Sequence, residues 1–418
     1  MAVAETLARF RGIRPGAVAA CRSPAEVSAA LREARERGME VAVRGGGHCF
    51  AGTSSTDGLL IDLSPLDGIR LEGDLAVIGG GATLGRIYDV LDAQGRTLNA
   101  GCGTTVGIGG LTLGGGLGVL GRLHGTLSDS LRAAEVVLAS GEVVTADDDL
   151  LWALRGAGQA RFGVITGLTF ATVEPPASTA FELLWAPEAL APVLDAWQSW
   201  APDAPDALAA SLVVTAGDRL QVKVFGSMAA SEAETSHALA TLCDAAGVPP
   251  RAAVHHPGPF REVKRFLAGA GEEAEDGDEP MWCKSEYFRE PLPGKAAEAL
   301  VAHLAVKPDG VTAELDFSPW GGAYTRTPAE ATAFAHRDAR FLLKHAVTVP
   351  SQLDPEPARA WLAASYAITH PYGTGGAYPN FPDTDLDRWD RAYHLGNRNR
   401  LLALKRRLDP DGRFGPTP

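Results

Sequence analysis

The chain is sparing with cysteine, has no surplus of positive charge and holds no long apolar run. Five cysteines, Cys21, Cys49, Cys102, Cys243 and Cys283, are scattered over 418 residues. That is too few and too dispersed for a disulfide framework, so a reducing compartment is expected. Lysine and arginine total 38 against 51 acidic residues, a formal charge of −13. Nucleic acid and anionic membranes both require a positive surface, so neither is expected as a partner. No apolar run approaches the ~18 residues that a membrane span needs. Glu5, Arg9 and Arg11 interrupt the opening residues where a signal peptide would keep an unbroken apolar stretch. The chain therefore reads as cytoplasmic. Its 10 histidines and 5 cysteines show no metal-ligand spacing, and no metal is expected. A lysine-bearing phosphate loop is also missing.

Glycine, by contrast, is plentiful, at 48 residues, and it is clustered. "VRGGGHCFAG" (43–52) and "GCGTTVGIGGLTLGGGLGVLG" (101–121) each lie beside stretches that read as strands. Successive backbone N–H groups in such loops form an anion-binding concavity without a lysine, and a dinucleotide pyrophosphate suits it. Tight turns in a β-rich domain are the alternative, and the second cluster weighs against it. "GLGVLG" (116–121) satisfies G-x-G-x-x-G but follows more glycine rather than a strand, so it is not read as a Rossmann fingerprint. "HRD" (336–338) lacks the asparagine a kinase loop requires, since Leu343 stands five residues after Asp338.

Periodicity outlines the rest. "SPAEVSAALREARERG" reads as a helix capped by Ser23 and Glu26 and closed by Gly38. "MEVAV", "GLLIDL", "DLAVIG" and "FGVITGLTFATV" read as strands, and "AAEVVLASGEVVTAD" as a hairpin. "EPP" (174–176) marks a boundary, giving segments 1–175, 176–375 and 376–418. The middle segment alternates helical and apolar stretches. Within it, the acidic run "GAGEEAEDGDEP" (269–280) reads as a solvated loop. "DLDRWDRAYHLGNRNRLLALKRRLDP" reads as one long amphipathic helix, basic toward its C-terminus and stopped by Pro410. The fold class is α+β.

Taken in order, several stretches resemble the berberine-bridge-enzyme-like flavoproteins of the vanillyl-alcohol-oxidase superfamily. They are both glycine clusters, "LLWALRGAGQARFGVITGLTF", "KSEYFREPLP", "DFSPWGGAYTRTPAEATAFAHRDARF" and "YPNFPD" with the C-terminal basic helix. The resemblance implies a two-lobed FAD-binding domain of the vanillyl-alcohol-oxidase type. It also implies a substrate domain with an antiparallel sheet and covering helices, and a C-terminal segment that returns to the FAD domain. FAD would be bonded covalently through His48 to its 8α-methyl. The alternative for His48 is a neutral loop histidine bonded to backbone. The remaining implied cofactor contacts are Arg44, Gly45, Gly46, Gly47, Cys49, Gly52, Val106, Gly107, Gly109, Gly110, Gly114, Gly115, Gly116, Gly118, Asp129, Val137, Gly163 and Asn380.

Plant-type members carry a second tether, a cysteine in G-x-C-P-x-V-G-x-G-G. Here Gly103 holds that position, Thr104 replaces the proline, and Cys102 sits one residue early. One residue along an extended segment reverses the side chain's face, so Cys102 is expected to point into the protein and to remain unbonded; the alternative is a one-residue bulge at Gly101 and Gly103 that re-aims it at the flavin. Valine at the position of Val106 resembles the oxygen-permissive form.

Tyr378 and Asn380 stand in "YPN", which resembles the family's YxN element beside the flavin, and the resemblance implies Tyr378 as catalytic base, since removing a hydride from an alcohol carbon requires taking up the hydroxyl proton. A phenol at its ordinary pKa is a weak base, so a neighbouring cation such as Lys284 would have to assist. Glu286, Tyr287, His370 and Tyr372 stand in reserve. The resemblance implies an FAD-dependent oxidase that takes a small-molecule alcohol, sugar or natural-product intermediate and molecular oxygen. A tailoring enzyme forming a C–C or C=C bond and an inactive flavin-fold binding protein are the alternatives.

Overall fold

The computed structural model describes residues 3–158, 162–275 and 279–415. Three sheets organise it. β1 (Ala17–Ala20), β2 (Val41–Arg44) and β3 (Leu59–Asp62) form a small parallel sheet in the order β1-β3-β2. β4 (Ile69–Glu72), β5 (Leu75–Gly79), β6 (Leu131–Leu138), β7 (Val143–Thr145) and β8 (Gly163–Ala171) form an antiparallel sheet ordered β4-β5-β8-β6-β7. The hairpin read from "AAEVVLASGEVVTAD" is the β6–β7 pair. The helix read from "SPAEVSAALREARERG" spans Pro24–Glu36. Ser23 Oγ accepts from Glu26 N, and the Glu26 carboxylate accepts from Arg22 N, so the first turn's donors are satisfied from both sides.

The third sheet lies wholly between Ser178 and Thr348. Its strands are β9 (Ser178–Trp185), β10 (Leu208–Ala216), β11 (Leu220–Met228), β12 (Ala252–Gly258), β13 (Met281–Phe288), β14 (Thr312–Pro319) and β15 (Phe341–Thr348). Their order is β12-β9-β11-β10-β14-β15-β13, all antiparallel. Alternation gives the sheet two unlike faces. Phe181, Leu183, Leu212, Val214, Leu315, Phe317 and Leu343 share one core with Trp197, Leu242, Leu300 and Trp361. Those four come from the helices Leu190–Trp200, Glu232–Ala246, Gly294–Leu304 and Glu356–Thr369. Each large apolar side chain buried there contributes about 1.5–3 kcal/mol. The intervening positions, Ser211, Lys223, Glu314, Asp316 and Lys344 among them, project from the opposite face toward the glycine loops.

Two expectations need correction. The acidic run is not a loop throughout, because the helix Phe260–Glu275 continues through 269–275; residues 276–278 lie outside the described residues. Alanine and glutamate are good helix formers, and here propensity prevails over charge repulsion. The C-terminal stretch is two helices, Trp389–His394 and Arg398–Leu408, rather than one. They are separated at Leu395, the one described non-glycine residue with positive φ, at 44°. The break lets Leu401 and Leu404 turn into the core of the five-stranded sheet.

That second helix is locked by a fully buried pair. Lys405 Nζ donates to Asp409 Oδ2 at 2.6 Å, and the Asp409 carboxylate also accepts from Arg413 N and Phe414 N. Removing the Asp409 carboxylate takes a buried counter-charge from Lys405 and the acceptor from two backbone N–H groups. Asp409→Ala should therefore cost about 3–5 kcal/mol, read as a lowered midpoint in urea unfolding; a loss below about 1 kcal/mol would show that the pair carries no such role.

Candidate active site

The site starts from a backbone contact. A Cβ on Gly46 would overlap Gly107 N and stand 2.7 Å from Thr105 O, and a Cβ on Gly107 would strike Gly46 N in return. The two glycine clusters therefore pack main chain against main chain. Gly47 (φ 83°) lies on Glu5 O, and Gly52 (φ 70°) lies against the Phe10 ring. In the second cluster Gly114 faces Asn380, Gly115 faces Phe334, Gly116 faces Leu127 and Gly118 faces Asn99. Gly45, Gly101 and Gly109, each with one carbonyl oxygen at 3.4, 3.5 and 3.2 Å, and Gly110, with nothing within 4 Å, leave room on their faces. Most of these glycines are closely packed against neighbouring chain.

This contact brings His48 to Thr105, with Nε2 and Oγ1 at 2.8 Å. His48 then opens on a cavity of about 810 Å³, within the range of small-molecule sites. His48, Cys102, Gly103, Val106 and Val119 line its loop side, and the polar face of β10, β11, β14 and β15 lines the other. Cys102 was expected to turn away, but it lies on this cavity, where it packs with Val119, Phe225 and Leu267. The reason is local. Tyr88 Oη donates to Gly101 O at 2.6 Å and Lys264 Nζ to Ala100 O at 2.9 Å, so the segment before Cys102 is held at its carbonyls. Burial pushes the Lys264 ammonium down to about 7.

Other expected contacts sit farther back. Arg44 donates to Ser54 O, Ala4 O and Ser55 Oγ, bracing the loop's far limb. Burial lowers its guanidinium pKa. Cys49 Sγ meets Thr53 Oγ1 at 3.1 Å. Asp129 accepts from Thr126 N and is held in a two-toothed pair by Arg337, at 2.7 and 2.8 Å. Val137 is fully buried, and Gly163 lies against it on the paired strands β6 and β8.

Tyr378 is 2% exposed and packs with Tyr287, Trp320, Tyr324 and Phe334, outside the cavity lining. Its phenolic oxygen accepts from Gly116 N at 3.2 Å and from Asn380 Nδ2 at 3.0 Å. Asn380 Nδ2 also reaches Leu111 O at 2.9 Å, so the "YPN" element is stitched to the second glycine loop. Lys284 pairs with Asp383 at 2.7 Å. Of the reserve residues, Glu286 and His370 join each other at 2.8 Å and Tyr372 is exposed. Tyr287 is buried, and burial raises its pKa well above the usual phenol value.

The polar sheet face was not anticipated from the sequence. Its signal was there in "TAELDFS", "LQVKVFG" and "FLLKHAVT", where charged residues alternate with apolar ones on strands whose apolar side is fully covered.

Residues 15–147 match the FAD binding domain family and residues 377–416 the berberine and berberine-like family. Fold and sequence thus define an FAD-dependent oxidoreductase. The FAD-linked oxidoreductase YgaK of Bacillus subtilis is 30% identical, with 96% of this chain and 90% of that protein covered. The aclacinomycin-N/aclacinomycin-A oxidase of Streptomyces galilaeus is also 30% identical, covering 96% and 84%. The structure of glucooligosaccharide oxidase from Acremonium strictum, which carries a 6-S-cysteinyl, 8α-N1-histidyl FAD, superposes with a TM-score of 0.86. The two are 25% identical, over 96% of this chain and 90% of that one. The chain belongs to the berberine-bridge-enzyme-like FAD-linked oxidoreductases. The site fits such a cofactor. The cavity has room for it, Gly45 and Gly110 leave open backbone, and an imidazole stands on the wall with one nitrogen held by Thr105.

The Gly46 contact makes a direct prediction. In Gly46→Ala the new methyl meets main-chain atoms that cannot yield cheaply, so stability should fall by about 1–3 kcal/mol and flavin content should drop. Gly110→Ala, facing open space, should leave the melting temperature unchanged or raise it. Flavin-to-protein absorbance ratios and thermal melts check both; equal behaviour of the two variants would refute the packing role.

Proposed function

We propose that this protein is an FAD-dependent oxidase of hydroxylated small molecules. Residues 1–175 and 376–418 would hold the flavin, and 176–375 would cover it and bind substrate. The observation that carries the reading is the facing of His48 and a polar, charged sheet across one cavity. Bound FAD would accept a hydride from the substrate carbon and pass the electrons to oxygen, so that an alcohol and O2 give a carbonyl compound and hydrogen peroxide.

The chain's own residues do the rest. His48 would hold the flavin through Nδ1 while Thr105 keeps Nε2 and fixes the ring plane. Gly103 stands at the second-tether position and Cys102 packs among apolar side chains, so the attachment is read as a single bond to His48. Val106, on the cavity wall, is small enough to leave oxygen a path. Tyr378 is carried as the proton acceptor. Gly116 N and Asn380 Nδ2 both donate to its phenolic oxygen and would hold that oxygen in place. The charged floor supports a hydroxyl-bearing substrate, since an apolar one would displace water from those groups without replacing its hydrogen bonds.

The tether is tested by acid denaturation and gel electrophoresis. Flavin fluorescence should travel with the polypeptide, map to the peptide containing His48, and vanish in His48→Ala. Flavin released entirely to the supernatant, or carried on the Cys102 peptide, would contradict the single-bond reading. For the base, Tyr378→Phe should keep its flavin yet slow anaerobic flavin reduction by substrate, on the order of 10²–10⁴-fold. Unchanged reduction rates would remove Tyr378 from proton transfer and leave it as the strut between "YPN" and the second glycine loop.

A further inference from the structure

Lys264 is a buried cation that none of the proposed steps uses. It belongs to the helix Phe260–Glu275, is 5% exposed, and pairs with no carboxylate among the described residues. Its ammonium instead donates to Ala100 O at 2.9 Å and Gly101 O at 3.4 Å. It lies 3.4 Å from the centre of the Tyr88 ring and 5.3 Å from that of Phe260. Burying an ammonium on carbonyls and ring faces is costly, and an apolar side chain of similar length would fill the space without that cost. What the charge adds is directed bonding. An ammonium carries three N–H donors, enough to serve two carbonyls at once, and its bonds are stronger than those of a neutral amine.

Three pieces of chain meet at this ammonium. The first is segment 100–106, which carries Cys102, Gly103 and Val106 onto the cavity. The second is the helix Leu84–Asp92, where Leu84 N donates to Val106 O at 3.0 Å, Gly85 N to Thr104 O at 2.9 Å and Tyr88 Oη to Gly101 O at 2.6 Å. The third is the helix of Lys264 itself, which places Leu267 and Ala268 on the same cavity. Arg261 joins that helix to the second piece by pairing with Asp89 and Asp92. The helix Leu84–Asp92 thus holds the cofactor-side segment at 101, 104 and 106, and Lys264 adds a hold at Ala100 and Gly101 from the substrate-side helix.

Resting on the reading that flavin occupies this cavity, we propose that Lys264 is a positioning residue that pegs the wall Cys102–Val106 to the helix Phe260–Glu275, so that the two keep one spacing around the cofactor. It acts through the main chain of Ala100 and Gly101. Burial brings its ammonium down to about 7, so the peg is charged below that pH and neutral above it. Discharge removes the attraction to the Tyr88 ring face and weakens both carbonyl bonds, and the wall loosens as pH rises. The other titratable or charged groups on the elements packed around Lys264 are Tyr88, Asp89 and Asp92, Cys102, Glu182 on β9, and His255 and His256 on β12; Arg261, Glu262 and Arg265 share its helix. Burial holds Tyr88 well above the usual phenol value, so it stays protonated through this range. His256 stacks on Phe266 of the same helix, at 5.3 Å between ring centres. Replacing Lys264 alone separates its titration from all of these.

The test compares the full-length, flavin-loaded protein with Lys264→Met and, as a control on the same helix, Arg261→Gln, from about pH 5.5 to about pH 8.5. One readout is the visible circular dichroism of the bound flavin. The other is hydrogen exchange at the Leu84 and Gly85 amides, which bond the cofactor-side segment. In the unaltered protein the flavin signal should change in one step centred near pH 7. Above that step the two amides should exchange about 10-fold faster, after correction for intrinsic rates, as the difference between a charged and a neutral hydrogen bond implies. In Lys264→Met the step should vanish and exchange should be fast throughout, whereas Arg261→Gln should behave as the unaltered protein does. A flat flavin signal in the unaltered protein, the same step persisting in Lys264→Met, slow exchange in that variant, or loss of the step in Arg261→Gln would each overturn the proposal. The titration of the unaltered protein decides the matter even if Lys264→Met does not fold. Failure of the flavin reading would show differently, as protein purified without flavin, in which the exchange measurement still reports on the peg.

Discussion

The approach of Gly46 to Gly107 is the constraint on which the functional architecture rests. Two loops from distant parts of the chain come within van der Waals contact of each other's main chain, and that distance is open only to residues without a Cβ. Because they meet, His48 reaches Thr105, and His48, Cys102, Gly103 and Val106 form one wall of a single cavity. Were the loops held apart by a methyl, the imidazole would lose the partner that sets its plane.

The opposite wall follows from strand periodicity. In the seven-stranded sheet, every second residue is committed to the helix-covered core, so the remaining positions can carry charge without disturbing folding. Antiparallel register then sets Asp316 beside Lys344 and Thr215 beside Glu314, which makes a network out of residues far apart in sequence. The C-terminal segment closes the arrangement from behind. Asn380 and Tyr378 bond the second glycine loop, and the buried Lys405–Asp409 pair anchors the helix that follows.

Local elements were legible where one physical signal dominated. The capped helix at Pro24–Glu36, the β6–β7 hairpin and the strand before the first glycine loop are legible because caps, turns and alternation act over a few residues, whereas the second glycine cluster is flanked by helices rather than strands. The acidic run misled because charge was weighed above helix propensity. The C-terminal helix was read as continuous because its apolar period gave no sign that Leu395 would adopt a left-handed conformation.

The two glycine clusters, the histidine behind the first and the "YPN" element carry the resemblance to this family in the sequence alone, because each is a short stretch of chain whose residues are neighbours along it. Which groups face one another was decided only by the tertiary structure. Lys284 pairs with Asp383, Cys102 stays on the cavity, Tyr378 is stitched to Gly116, and Lys344 stands between Glu314 and Asp316. The physical reason is that ion pairing and close packing act through space, over a few ångströms, between residues whose separation along the chain carries no information about their distance.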